Sequence, residues 1–222
     1  MQNSIEVLLH ASFREVRLRA MATPVWQPVL DLWFGTLDEL GRADEAHRDS
    51  WWAKDNAFDD TIRQRFQPLH DAIVARQCEA WLSDLHGCLA YVIVLDQFSR
   101  NMFRGTDRMF AADAQAREAS ELAVNRGDDL KLKFDERGFL YMPFMHSERL
   151  EDQERCIQLF QGLLDEQKDE KLRAAAKYSL EFAISHRDIV QKFGRFPHRN
   201  AVLERTSTAY ELEFLLKPGS SF

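Results

Sequence analysis

From Cys88 to Leu95 nearly every position is apolar, so a helix here is buried on all sides rather than along one stripe. The run then turns polar. Within CLAYVIVLDQFSRNMFRG, Cys88 to Gly105, Asp96 and Arg100 stand at i and i+4 with Arg104 one turn further. On a continuing helix the three share a face and can pair. Ser83 or Asp84 opens this helix, and it ends near Arg100 or in the turn before Gly105.

The same period predicts the other elements. Thr23 and Pro24 read as the start of a helix carrying Val25, Trp26, Val29, Leu30 and Trp33 up to Gly35. A polar stretch with Gly41 leads to Trp51 and Trp52. Asp55 then caps a helix with Phe58, Ile62, Phe66, Leu69 and Ile73 on one face, which Pro68 should kink. Asp107 is the expected N-cap of a helix from Arg108 to about Asn125 with a solvated outer face. After the dense block FLYMPFM, Pro143 predicts a kink or a fresh start. Ser147 and Glu148 then suit the cap and first turn of a helix that buries Cys156, Ile157, Phe160, Leu163 and Leu164.

The clearest period runs from Glu170 to Phe193, with His186 inside the apolar stripe and Gly194 as the stop. RFPHRN forms a basic loop, and Thr208 with Glu211 has capping-box spacing for a short last helix closed by Lys217, Pro218 and Gly219. No segment alternates with period two for long enough to make a sheet. The fold class is all-α.

Composition narrows the function classes. The 222 residues, 45% hydrophobic and 29% charged, suffice for one sizeable core and one domain over 23–217, with a tail at 218–222. A net charge of -7 without a long basic run argues against nucleic acid as a partner. Three cysteines without CxxC spacing suit a reducing, cytoplasmic setting. No apolar run approaches the roughly 20 residues that span a bilayer, so no membrane association is expected. Residues 1–22 form an N-terminal extension with Arg14, Arg17 and Arg19 beside a short apolar patch. Its Glu6, Glu15 and lack of a cleavage pattern do not suit a targeting peptide. Met21, directly before a helix start, is an alternative initiation site.

LDQFSRNMFRG, FLYMPFMHSE and FGRFPHRN, together with LWFG and WW upstream, resemble the bacterial domain-of-unknown-function family number 924 over about Pro24 to Leu216. The resemblance implies a tetratricopeptide-repeat-like bundle of antiparallel helix pairs and brings no assigned activity or cofactor with it. The sequence shows no regular repeat of about 34 residues, so that architecture rests on the resemblance. The motifs map onto Asp96, Gln97, Arg100, Asn101 and Arg104, onto Tyr141, His146, Ser147 and Glu148, and onto Arg195, His198, Arg199 and Asn200.

Each group has a plain structural reading beside its chemical one. Asp96, Arg100 and Arg104 can be a buried ion pair between helices, since an unpaired buried charge costs several kcal/mol. Two arginines exceed one aspartate, however, and a surplus guanidinium holds carboxylate or phosphate bidentately. His146 and His186 can be hydrogen-bonded core residues or general acid and base groups near neutral pH. A metal site from His146, Glu148, His186 and Asp96 matches no established ligand spacing, so no metal is expected. Ser147 lacks flanking nucleophile-elbow glycines, and the apolar run around Cys88 should raise its pKa. Arg195, His198 and Arg199 can cap a helix end or face the same concavity as Arg100 and Arg104.

The leading expectation is a central polar pocket for an anionic small molecule. Arg100, Asn101, Arg104, Tyr141, His186, Arg195, His198, Arg199 and Asn200 would bind the ligand, with His146, Glu148 and Asp96 moving protons. The alternatives are a helical scaffold that grips a peptide carboxylate, and polar motifs that serve only helix packing.

Overall fold

In the computed structural model residues 24–220 are described, and all regular structure among them is helical. The expected start at Thr23 lies outside these residues, as does the question of Met21. Helix α1 (Gln27–Phe34) begins a turn later than Pro24 suggested, with Pro28 rather than Pro24 in its first turn. Helix α2 (Glu45–Trp52) occupies the stretch read as merely polar. It has no apolar period and no fully buried residue. The Asp44 side chain caps it at His47, and Trp51 Nε1 donates to the carbonyl of Trp33 at 2.7 Å.

Asp55 caps α3 (Asn56–Val74), which runs through Pro68. Asp84 caps α4 (Leu85–Ile93). The chain then widens into a π-helical turn, Val94–Phe98, before tightening into α5 (Ser99–Met102). Every residue from Gly87 to Ser99 is buried, as the unbroken apolar run requires. The next helix starts later than expected. A 3₁₀ turn, Asp107–Met109, precedes α6 (Asp113–Asn125), so Asp113 stands at a helix start.

Helix α7 (Phe134–His146) passes through Pro143 and ends on His146. Ser147 therefore follows a helix instead of opening one, and Glu148 lies in the connection to α8 (Leu150–Glu166). Helix α9 spans Glu170–Phe193, as its period predicted, and Gly194 ends it at φ +69°, a conformation that glycine adopts without steric cost. A 3₁₀ turn at Pro197–Arg199 and α10 (Ala209–Leu215) follow. The Thr208 and Glu211 capping box is in place.

Helix α4 is the hub, packed by α1, α6 and α7; α8 packs on α7, and α9 lies most extensively along α8. Only Gln167 to Asp169 join α8 to α9, a connection short enough to force an antiparallel pair. One continuous core includes Trp33, Tyr91, Phe98 and Tyr141. A small separate cluster of Ile189, Val190 and Phe196 anchors the RFPHRN loop to the end of α9. That anchoring brings the loop back over the polar end of the hub.

Candidate functional site

Asp96 sits on the π-helical turn, with its side chain 1% exposed. A π turn changes the direction of the side chains that follow it, and such turns are common at functional sites. One carboxylate oxygen of Asp96 meets Nδ1 of His146 at 2.7 Å and Nη1 of Arg100 at 3.1 Å; the other accepts from Gln97 Nε2 at 2.6 Å. Arg100 also donates to the Asp96 carbonyl at 2.6 Å and grips Asp113 with both terminal nitrogens, at 3.0 and 3.2 Å. Arg199 closes the ring from the RFPHRN loop, donating to Asp113 at 3.3 Å and to the carbonyl of His146 at 3.0 Å. The rings of Phe110 and Phe196 lie 4.5 and 4.6 Å from its guanidinium.

Two guanidiniums and two carboxylates thus balance around one imidazole. Burial alone would raise the Asp96 pKa, but the charge of Arg100 and the hydrogen bonds from His146 and Gln97 hold it below the usual carboxylate value. Burial and Arg100 together lower that of His146 against the pull of Asp96, so His146 is neutral at pH 7. Burial also lowers Arg199, to about 10. His186 on α9 faces His146, ring centroids 6.4 Å apart, and its Nδ1 bonds the carbonyl of Phe182 at 2.8 Å. Burial pushes His186 down to about 3 and His198 to about 4.

With Nδ1 of His146 bound to a carboxylate, that nitrogen carries the proton and Nε2 is the basic one. His146 lines a cleft of about 460 Å³ together with Phe110, Asp113, Arg117, Arg149 and Arg199. Its position at the end of α7 is secured by Gln153, a fully buried residue of α8. The Gln153 amide donates to the carbonyls of Met145 and Ser147 at 2.7 and 2.6 Å, taking up groups that a helix end otherwise leaves unpaired. Ser147 Oγ donates to Asp152 at 2.7 Å.

A model of the bacterial family of unknown function DUF924 matches residues 29–219. The chain belongs to the DUF924 family. A solved structure of a protein of unknown function from Agrobacterium tumefaciens is 37% identical, covering 86% of this chain and 97% of that one, with a TM-score of 0.73. No curated protein matches the chain.

The DUF924 motifs part company in three dimensions. Asp96, Arg100, His146 and Arg199 converge, with His186 behind them. Arg104 does not join them: the helix ends at Met102, so the shared face anticipated for a continuing helix is cut short. Arg104 instead grips Asp59 of α3 at 2.7 and 2.9 Å, and Asn101 donates to the same carboxylate at 2.7 Å. Tyr141 is fully buried between Asp129, to which it donates at 2.6 Å, and Arg137; burial raises its pKa.

Glu148 borders the cleft, but Arg205 holds it at 2.6 and 3.0 Å and it accepts the backbone N–H of Phe196 at 2.8 Å. Arg205 and the other hydrogen bonds keep its pKa low despite burial, which suits an anchor for the loop. Arg195 pairs with Glu211 at 2.7 and 2.8 Å, away from Arg100, and Asn200 binds Ser207 and Arg205. The cysteine reading holds: burial raises Cys88 to about 11.

Asp113, Gln153, Arg117 and Arg149 were not singled out by the sequence. They sit in polar helical stretches, and no local spacing marks Asp113 as the shared acceptor of two arginines from distant segments. Among the described residues no group of three His, Cys, Asp or Glu side chains could hold a metal ion. No helix among them is long and apolar enough to cross a membrane.

Proposed function

We propose that the cleft binds a small molecule carrying a carboxylate or phosphate and that His146 exchanges a proton with it. The observation behind this reading is the 2.7 Å contact of Asp96 with His146 Nδ1, which leaves Nε2 as the basic nitrogen beside a cleft that His146 lines. An imidazole oriented by a buried carboxylate is the arrangement that makes a competent general base. Asp96 orients the ring and stabilises its protonated form. Arg117, Arg149 and Arg199 line the cleft and supply guanidiniums for the anionic group. Arg100 has a different role, because Asp96 and Asp113 take up its donors. It sets the charge balance behind the ligand. Phe110, Ala111, Ala114 and Leu203 give the cleft an apolar side for the rest of the molecule.

The test is a thermal-shift screen of the full chain against metabolites bearing carboxylate or phosphate groups, repeated with His146→Gln and Arg149→Ala. A ligand at a hundred times its Kd stabilises the folded state by about 2.7 kcal/mol. The expected result is a shift with the native protein that shrinks in both folded variants. A screen without any shift, or shifts that both variants retain, would refute the reading.

A further inference from the structure

The groups around His146 come from five segments, and their charges cancel. Asp96 and Arg100 approach from the continuous π-turn and α5 segment after the hub, Asp113 from the start of α6, and Arg199 and His198 from the 3₁₀ turn. His186 approaches from α9, and Glu148, from the connection after α7, is tied to Arg205. Arg100 and Arg199 are opposed by the carboxylates of Asp96 and Asp113 at contacts between 3.0 and 3.3 Å. Arg117 and Arg149, further along the cleft wall, face Asp152 at 3.6 and 3.8 Å and have Glu121 and Glu151 as closer partners. Asp107 lines the cleft as well and adds a further carboxylate. With a neutral His146, the inner end of the cleft therefore has no positive charge in excess of its carboxylates. A buried anion set there would lack a counter-charge, at a cost of several kcal/mol.

From this balance we infer that the site takes an oxyanion together with one proton, the proton residing on Nε2 of His146, so that the ligand is held by an imidazolium rather than by the arginines alone. This rests on the acid/base reading of the cleft and adds its charge rule. The imidazolium is neutralised on one side by Asp96 and on the other by the bound oxyanion. His146 lines the cleft, whereas His186 and His198 are not among its lining residues and burial keeps both neutral, so the proton goes to His146.

Methanesulfonate is the probe, because it is an oxyanion of single charge that does not titrate between pH 5.5 and 8.5. Its binding is measured by calorimetry across that range in buffers of different ionisation enthalpy, and the His146 ring nitrogens are followed by NMR with and without methanesulfonate. The expected result is uptake approaching one proton per bound anion, with affinity falling by up to about tenfold per pH unit over the upper part of the range. Methanesulfonate should raise the measured pKa of His146, and His146→Gln should abolish the pH dependence. The NMR measurement needs only the native chain, so it decides the matter even if that variant fails to fold.

Methanesulfonate that binds with no proton uptake and no change at His146, yet more weakly to Arg149→Ala, would overturn the charge rule and leave the anion cleft standing. Failure of methanesulfonate to bind at any pH would overturn both.

Discussion

Two acid–arginine clusters grow from one short stretch of this chain, and they differ in what they leave over. Asp59, Asn101 and Arg104 form a closed set: one carboxylate accepts three bonds between 2.7 and 2.9 Å, and no histidine takes part. Asp96, Arg100, Asp113, Arg199 and His146 form an open set, because the imidazole that completes it keeps a basic nitrogen and borders a cleft. The first is what a buried ion pair needs to be tolerated. The second has a titratable member, and that is where chemistry can occur. Similar residue types thus serve different ends, decided by whether the last partner is an always-charged guanidinium or a group that can change its charge.

Arg100→Ala is the sharpest way to break the comparison. It strips two largely buried carboxylates of their main counter-ion and should cost about 3–5 kcal/mol in denaturant unfolding. A loss below about 1 kcal/mol would mean that Arg100 does not hold the open cluster together.

Acid comes next. Unfolded histidines take up protons near pH 6.5, whereas His186 and His198 stay neutral until about 3 and 4. Below pH 6.5 the unfolded chain therefore binds more protons, and stability falls as pH falls. Each of the two contributes a loss of about 1.4 kcal/mol per pH unit down to its folded value. Stability that stays flat between pH 6.5 and 5 would contradict their burial as neutral rings.

Arg104→Ala tests the closed cluster. Asp59 keeps Asn101 and Arg104 is about one-third exposed, so the cost should be only about 1–3 kcal/mol. The measured His146 pKa should not move; a clear change there would show that the two clusters are one. His146→Gln should have the smallest effect on stability, about 1 kcal/mol, because the amide can still donate to Asp96. It should nevertheless remove the titration assigned to the cleft, and an unchanged titration would place that proton on another group.

What could be read along the chain depended on the range of the interaction responsible. Helix α9 was legible because a long amphipathic period and a stop at Gly194 both act within a few residues. Helix α2 was hidden because no apolar period marks it; it is held by a cap and by Trp51 reaching Trp33. At Pro143 a fresh start was one of two expectations, and the helix continues through that residue instead. In the candidate site, Asp96, Arg100, His146 and Arg199 were visible as charge placed among apolar residues, which is costly without partners. Arg104, Arg195 and Tyr141 carried the same signal and went elsewhere, because local sequence does not say which partner is near.

By itself the sequence determined the all-helical class, the buried run from Cys88 to Leu95, the bounds of α9 and its stop, and a short set of residues that had to find polar partners. Only the tertiary structure decided which partner each one found. It brought Asp113 between two arginines, ended the hub before Arg104 could join, and set His146 against Asp96 from 50 positions away. The division has a physical cause. Periodicity and capping are interactions between near neighbours in the chain, whereas the charge balance of a buried site is a property of everything that surrounds it.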